Sequence, residues 1–185
     1  MKEKSMENEM KNADLSDIMC DLLYLLGCGV NDKMPAKAYI AAFQKAYDAD
    51  RLQTLYQFSK AHFVDALTGT VLKKAGVKLP AEWEQSIAKA IRKVILFDQE
   101  RAEIFSYMDE QGIWHMPLKG VILKDFYPSI GMRQMSDNDI LFDQAYAGQI
   151  RDYMVSRGYE VEAFDRGNHD VYEKAVSYTH LTLPT

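Results

Sequence analysis

The chain has 185 residues, 48% of them apolar and 26% charged, with 27 acidic side chains against 22 basic ones and a formal net charge of −5. That length and composition suit one soluble globular domain, or one and a half. The acidic balance excludes a strong nucleic-acid footprint, and no run of about eighteen apolar residues exists to form a membrane span.

The opening stretch, MKEKSMENEMKNAD, is charged throughout and has no apolar signal core. Residues 1–12 therefore read as a disordered, solvated arm, and the protein as cytoplasmic. Cys20 and Cys28 match no zinc spacing and read as reduced thiols, in keeping with that compartment.

Residues 13–111 read as helical. Asp14 or Ser16 caps a first helix with Ile18, Leu22, Leu25 and Leu26 inward, and Gly27 or Gly29 ends it. Pro35 opens a second, with Tyr39, Ile40 and Phe43 on one side. Asp50 caps a third, whose stripe runs Leu52, Leu55, Tyr56, Phe63, Leu67, Val71 until Gly76 closes it. Pro80 starts a long helix, with Glu82 and Glu84 favourable to its dipole. Trp83, Ile87, Ile91, Val94, Ile95, Phe105 and Met108 recur along it at helical spacing, and Gly112 stops it.

After Gly112 the period changes. Ile113–Leu118 is a short apolar run that ends at a glycine, as at a strand-to-helix junction. Val121–Phe126 suits a helix broken by Tyr127-Pro128. Asn138–Phe142 reads as a strand, Gln144–Arg157 as a helix with Ile150, Tyr153 and Met154 inward, and Tyr159–Phe164 as a strand. Val171 and Tyr172 begin another. An all-helical stretch followed by mixed elements gives an α+β class.

The last ten residues, VSYTHLTLPT (176–185), resemble the translation of a transposon-end sequencing adapter. They are expected to be a non-native tail, with the natural chain truncated mid-sheet near Ala175.

The chemistry concentrates in LKGVILKDFYPSIGMRQMSDNDILFD, residues 118–143. On a strand, residues two apart share a face, so Asp137, Asp139, Leu141 and Asp143 face one way while Asn138, Ile140 and Phe142 face the other. Two carboxylates about 7 Å apart along a strand suit a hard cation such as magnesium. A solvated acidic turn before a strand suits the same residues, and a lone Asp-x-Asp recurs by accident. Lys119 and Gly120 sit at the strand–helix junction, where bare backbone and a positive charge favour phosphate. The alternative there is an ordinary turn. Lys124 reads as solvated. Arg133 offers a planar fork for phosphate, or a surface ion pair with an aspartate. His169-Asp170 lies beside a strand, where a histidine is more often structural than catalytic.

In order, Leu-Lys-Gly, Tyr-Pro, Arg and Asp-x-Asp-hydrophobic-hydrophobic resemble the polymerase-beta-type nucleotidyltransferase superfamily. Within it they resemble the uncharacterised bacterial nucleotidyltransferase family proteins. The resemblance implies a helical N-terminal region packed on a small mixed-sheet core, of which residues 112–175 would be a part. It implies that Asp137 and Asp139 are catalytic and bind two magnesium ions with an NTP, and that Lys119, Gly120 and Arg133 contact the nucleotide. An acceptor hydroxyl on a protein, an RNA or a small molecule would attack the α-phosphate. Two departures stand out. Val121 follows Gly120 where the superfamily has a serine or glycine. The superfamily's third carboxylate belongs on a strand beyond HDVYEK, where the tail begins. The 185-residue fragment is thus expected to be inactive. The alternative is a degenerate module that binds a nucleotide or a protein without turnover.

Overall fold

A computed structural model describes the backbone of residues 2–164, 169–174 and 177–182, and the side chains of residues 15–164 and 169–174. The chain forms two compact units, residues 1–88 with 127–132, and residues 89–126 with 133–185.

The first unit is helical. It comprises α1 (Lys2–Val30), α2 (Lys37–Ala46), α3 (Ala49–Ala61), α4 (Asp65–Lys74) and the start of α5 (Ala81–Glu110). Residues 2–12 of the stretch read as an arm belong to the backbone of α1, and their side chains lie outside the described residues. Ile18, Leu22 and Leu25 are buried, as their spacing predicts. Neither expected glycine ends α1. It continues to Val30, and Asp32 at φ 51 closes it, with Lys33 N donating to Cys28 O at 2.9 Å. Gly29 instead admits α4: a Cβ there would lie 2.5 Å from Leu67 Cδ2 and 2.9 Å from Val71 Cγ2.

The stripe expected as one helix over 50–76 is two. Asp48, not Asp50, caps α3, its side chain accepting from Arg51 N at 2.9 Å. The break falls at Phe63, which takes φ 56. Phe63 N donates to Lys60 O and Val64 N to Ser59 O, the bonding pattern of a left-handed helix cap. A phenylalanine in that role carries no sequence signal, because glycine or asparagine is the usual occupant. Trp83 is fully buried, and its Nε1 donates to Asp65 O at 2.8 Å.

The second unit holds the rest of α5, then β1 (His115–Pro117), α6 (Gly120–Leu123) and two 3-10 turns, over Lys124–Phe126 and Gln144–Tyr146. β2 (Ile140–Phe142), α7 (Ala147–Ser156), β3 (Glu160–Ala163), β4 (His169–Lys174) and β5 (Ser177–Thr182) complete it. β1 pairs antiparallel with β2, and β3 with β4. β5 joins these pairs into a mixed sheet of order β1-β2-β5-β4-β3, running parallel to β2 and antiparallel to β4. This is the expected α+β architecture. β5 lies within the stretch read as a non-native tail; its side chains, and residues 176 and 183–185, lie outside the described residues.

Ile140 and Phe142 of β2, Tyr172 of β4 and Ile150 and Met154 of α7 close on Ile104 and Met108 of α5 in one core. The rings of Tyr107 and Tyr153 stack at 3.8 Å beside it. Along α5 the buried apolar set is Trp83, Ile87, Val94, Phe97, Ile104 and Met108. Ile95, expected inward, is half-exposed, because it falls about 100° from Val94 around the helix.

Candidate active site

The site grows from one strand pairing. Because β1 runs antiparallel to β2 with Pro117 opposite Ile140, the exit of β1 lies beside the entry to β2. Leu118 N donates to Asp139 O at 2.9 Å and extends the ladder by a residue. The next residue, Lys119, turns the chain into α6 with φ 48 and ψ −115, a strained conformation for a side chain with a Cβ. From that turn its Nζ reaches Asp139 Oδ2 at 3.1 Å. Asp139 is buried while the lysine side chain is mostly exposed. The ammonium thus balances a carboxylate largely withdrawn from water.

Gly120 begins α6, which has only four residues and supplies little dipole. Positive charge here comes from side chains. A Cβ on Gly120 would meet Met135 Sδ and Cε at 3.4 Å and Arg133 Nη2 at 3.5 Å. Arg133 therefore lies against the bare backbone of Gly120. Its Nε is buried without a hydrogen-bond partner, and no carboxylate among the described residues pairs with its guanidinium. The surface ion pair that the sequence left open for Arg133 does not form among these residues. Val121, which departs from the superfamily pattern, is buried with Val94, Phe97 and Met135. It anchors the elbow to α5 and offers no polar contact.

Asp137 and Asp139 lie on the extended approach to β2, not within it, since β2 begins at Ile140. The expected alternation holds only in part. Asn138, Ile140 and Phe142 are completely buried, Asp137 and Leu141 are half-buried and Asp143 is exposed, but Asp139, expected on the face of Asp137, is buried as well. Asp137 Oδ1 accepts from Ser136 Oγ at 2.9 Å. Asp143 belongs elsewhere: its side chain accepts from Ala145 N at 3.0 Å and caps the turn into α7.

Four residues of the site carried no sequence signal strong enough to single them out: Lys93, Asp98, Arg101 and Lys124. Lys124, read as solvated, is mostly buried, and its Nζ lies 3.1 Å from Asp98 Oδ2 and 2.6 Å from Asp125 Oδ1. Burial opposes its charge, but those two carboxylates outweigh burial and raise its pKa. Lys93, with Nζ 5.1 Å from the centre of the Phe97 ring, has its pKa lowered by burial, partly offset by the charge of Asp137. Only the spacing of Asp98 and Arg101, three apart on a helix, hinted at a pair.

The donor set suits one kind of metal. Among the described residues no group of three or more histidine, cysteine or carboxylate side chains is placed to hold an ion. Two carboxylates on one approach, with cationic side chains beside them, fit a hard ion that brings its own phosphate ligands. Asp170 does not add to them. It is fully buried on β4 beside Tyr172, whose hydroxyl lies 3.5 Å from Asp170 Oδ2, while His169 is exposed.

The site thus combines a mixed sheet, a lysine–glycine elbow and an Asp-x-Asp approach. The chain belongs to the family described as uncharacterised nucleotidyltransferase, which it matches over residues 48–183. The general function that membership gives is nucleotidyl transfer. No curated protein matches the chain. Among the described residues no helix is long and apolar enough to cross a membrane.

Proposed function

We propose that the protein transfers a nucleotidyl group from an NTP to an acceptor hydroxyl, with Asp137 and Asp139 as the catalytic carboxylates. The observation that carries this reading is the Arg133 guanidinium, lying unpaired against Gly120 beside the Lys119–Asp139 pair. Arg133 and Lys119 would take the triphosphate oxygens, and Gly120 would let them come close to backbone. Asp137 and Asp139 would hold magnesium, which when bound neutralises phosphate charge and polarises the reacting phosphoryl group. The acceptor oxygen bonds to the α-phosphorus, the bond from that phosphorus to the bridging oxygen breaks, and pyrophosphate leaves. The hydroxyl proton passes to water. Lys119 would shift from Asp139 toward the leaving phosphates as their charge grows. Acceptors on a protein, an RNA or a small molecule all suit this chemistry. The free thiols of Cys20 and Cys28 suit the cytoplasm, where we place the protein.

The test is transfer of label from an α-labelled NTP, with and without magnesium, in the full-length natural protein and in its Asp137→Ala and Asp139→Ala variants. Magnesium-dependent labelling that both substitutions abolish is the expected result. Labelling retained in both would remove these residues from the site.

A second reading, nucleotide binding without turnover, is favoured by the burial of Val121, which leaves no hydroxyl at the phosphate position. Calorimetry would support it if an NTP bound tightly while no product formed over long incubation.

A further inference from the structure

One turn of α5 touches both halves of the site. Arg101 Nη1 donates to Asn138 Oδ1 at 2.9 Å, and Nη2 of the same guanidinium pairs with Asp98. Asn138 Nδ2 donates to Phe97 O at 3.2 Å. Asp98 in turn accepts Lys124, which stands just past the Gly120 elbow. Asn138 is completely buried and Arg101 nearly so.

We propose that Arg101 is a positioning residue for metal binding: with Asp98 it clamps Asn138, and so sets where the carboxylates of Asp137 and Asp139 point. The inference rests on the metal-binding reading of those aspartates.

Asn138 stands between the two aspartates, and neighbouring side chains on an extended backbone project to opposite sides. An amide with both its oxygen and its nitrogen bonded in a dry site has no free rotation left. Holding Asn138 inward therefore fixes the backbone that carries both carboxylates, the half-buried one of Asp137 and the buried one of Asp139. Arginine suits this task because its rigid fork serves Asn138 and Asp98 at once. A lysine ammonium is a point charge on a flexible stem and does not reproduce the fork. Through Asp98 and Lys124 the same turn also references the Lys119–Gly120 elbow. The two halves, distant in sequence, thus share one rigid support. Residues that orient metal ligands from behind typically change metal affinity by about 10–100-fold when substituted.

The test is Mn2+ binding, followed by electron paramagnetic resonance in the presence of a non-hydrolysable ATP analogue, alongside thermal melting by circular dichroism. Arg101→Lys should fold with native helical content and bind Mn2+ at least tenfold more weakly. Should Arg101→Lys fail to fold, Asn138→Ser carries the test with the same expectation, since it leaves the Arg101–Asp98 pair in place. Asp139→Ala is the reference. Unchanged Mn2+ affinity in the folded variant, with affinity lost in Asp139→Ala, overturns the clamp. Unchanged affinity in Asp139→Ala as well overturns the underlying metal site instead.

Discussion

The ammonium of Lys119 lies 3.1 Å from Oδ2 of Asp139, and the lysine that makes this contact occupies φ 48. A strained backbone and a charge pair meet in one residue at the centre of the site. Strain of this kind costs about 1–3 kcal/mol and survives where the surrounding structure imposes it. Here the imposing feature is the β1–β2 pairing, which ends one residue earlier at Leu118.

Two substitutions at Lys119 separate strain from charge. Lys119→Gly and Lys119→Ala both remove the ammonium, but only glycine relaxes at positive φ. In urea melts Lys119→Gly should be more stable than Lys119→Ala by about 1 kcal/mol. Both should lose nucleotidyl transfer to the same extent. Equal stabilities would show that the elbow is not strained.

Arg133→Met is expected to leave stability nearly unchanged, since no ion pair of Arg133 would be broken. Nucleotide affinity should fall by about 10–100-fold, the range for losing one charge-assisted hydrogen bond. Titration with a fluorescent NTP analogue reads this directly. Unaltered affinity would take Arg133 out of the site.

Phe63 is 74% exposed and sits at φ 56, so it contributes strain with little burial. Phe63→Gly should stabilise the protein by about 1 kcal/mol, provided its helix-cap conformation is retained. Thermal melting checks this, and a lower midpoint would show that the exposed ring contributes packing of its own.

Asp21 accepts the hydroxyls of Tyr39 at 2.8 Å and Tyr47 at 2.6 Å, fastening α2 to α1. Burial first, and then the bond to Asp21, raises both phenols above their ordinary pKa of 10.0. The folded protein keeps protons that the unfolded chain releases, so the stabilisation is complete below pH 10 and is lost as pH rises above it. Tyr47→Phe should flatten the fall in melting temperature between pH 9 and about 11. An unchanged alkaline slope would show that these phenols do not couple to folding.

Much of the fold was legible because its signals are local. The period of Trp83, Ile87, Val94 and Met108 marks the buried face of α5 without reference to any neighbour. Gly76, Gly112 and Gly158 take positive φ where helices were expected to end. Phe63 escaped because its backbone is imposed by the packing of two helices and not by its own preference. Gly29 misled because its role, admitting Leu67 and Val71, depends on a helix nearly forty residues away.

The sequence by itself determined the order of the chemistry: Lys119 and Gly120 at a strand exit, then Arg133, then Asp137 and Asp139 at a strand entry. Order implies nothing about distance. Antiparallel pairing of β1 with β2 brought Lys119 onto Asp139, and the loop between them laid Arg133 against Gly120. Only the tertiary structure could show that Asn138 faces inward onto Arg101, or that Lys124 is tied to Asp98 instead of standing in water. Those contacts join residues twenty-six to thirty-seven positions apart on separate elements. A side chain's partner across such a gap is set by how elements pack, which no local pattern encodes.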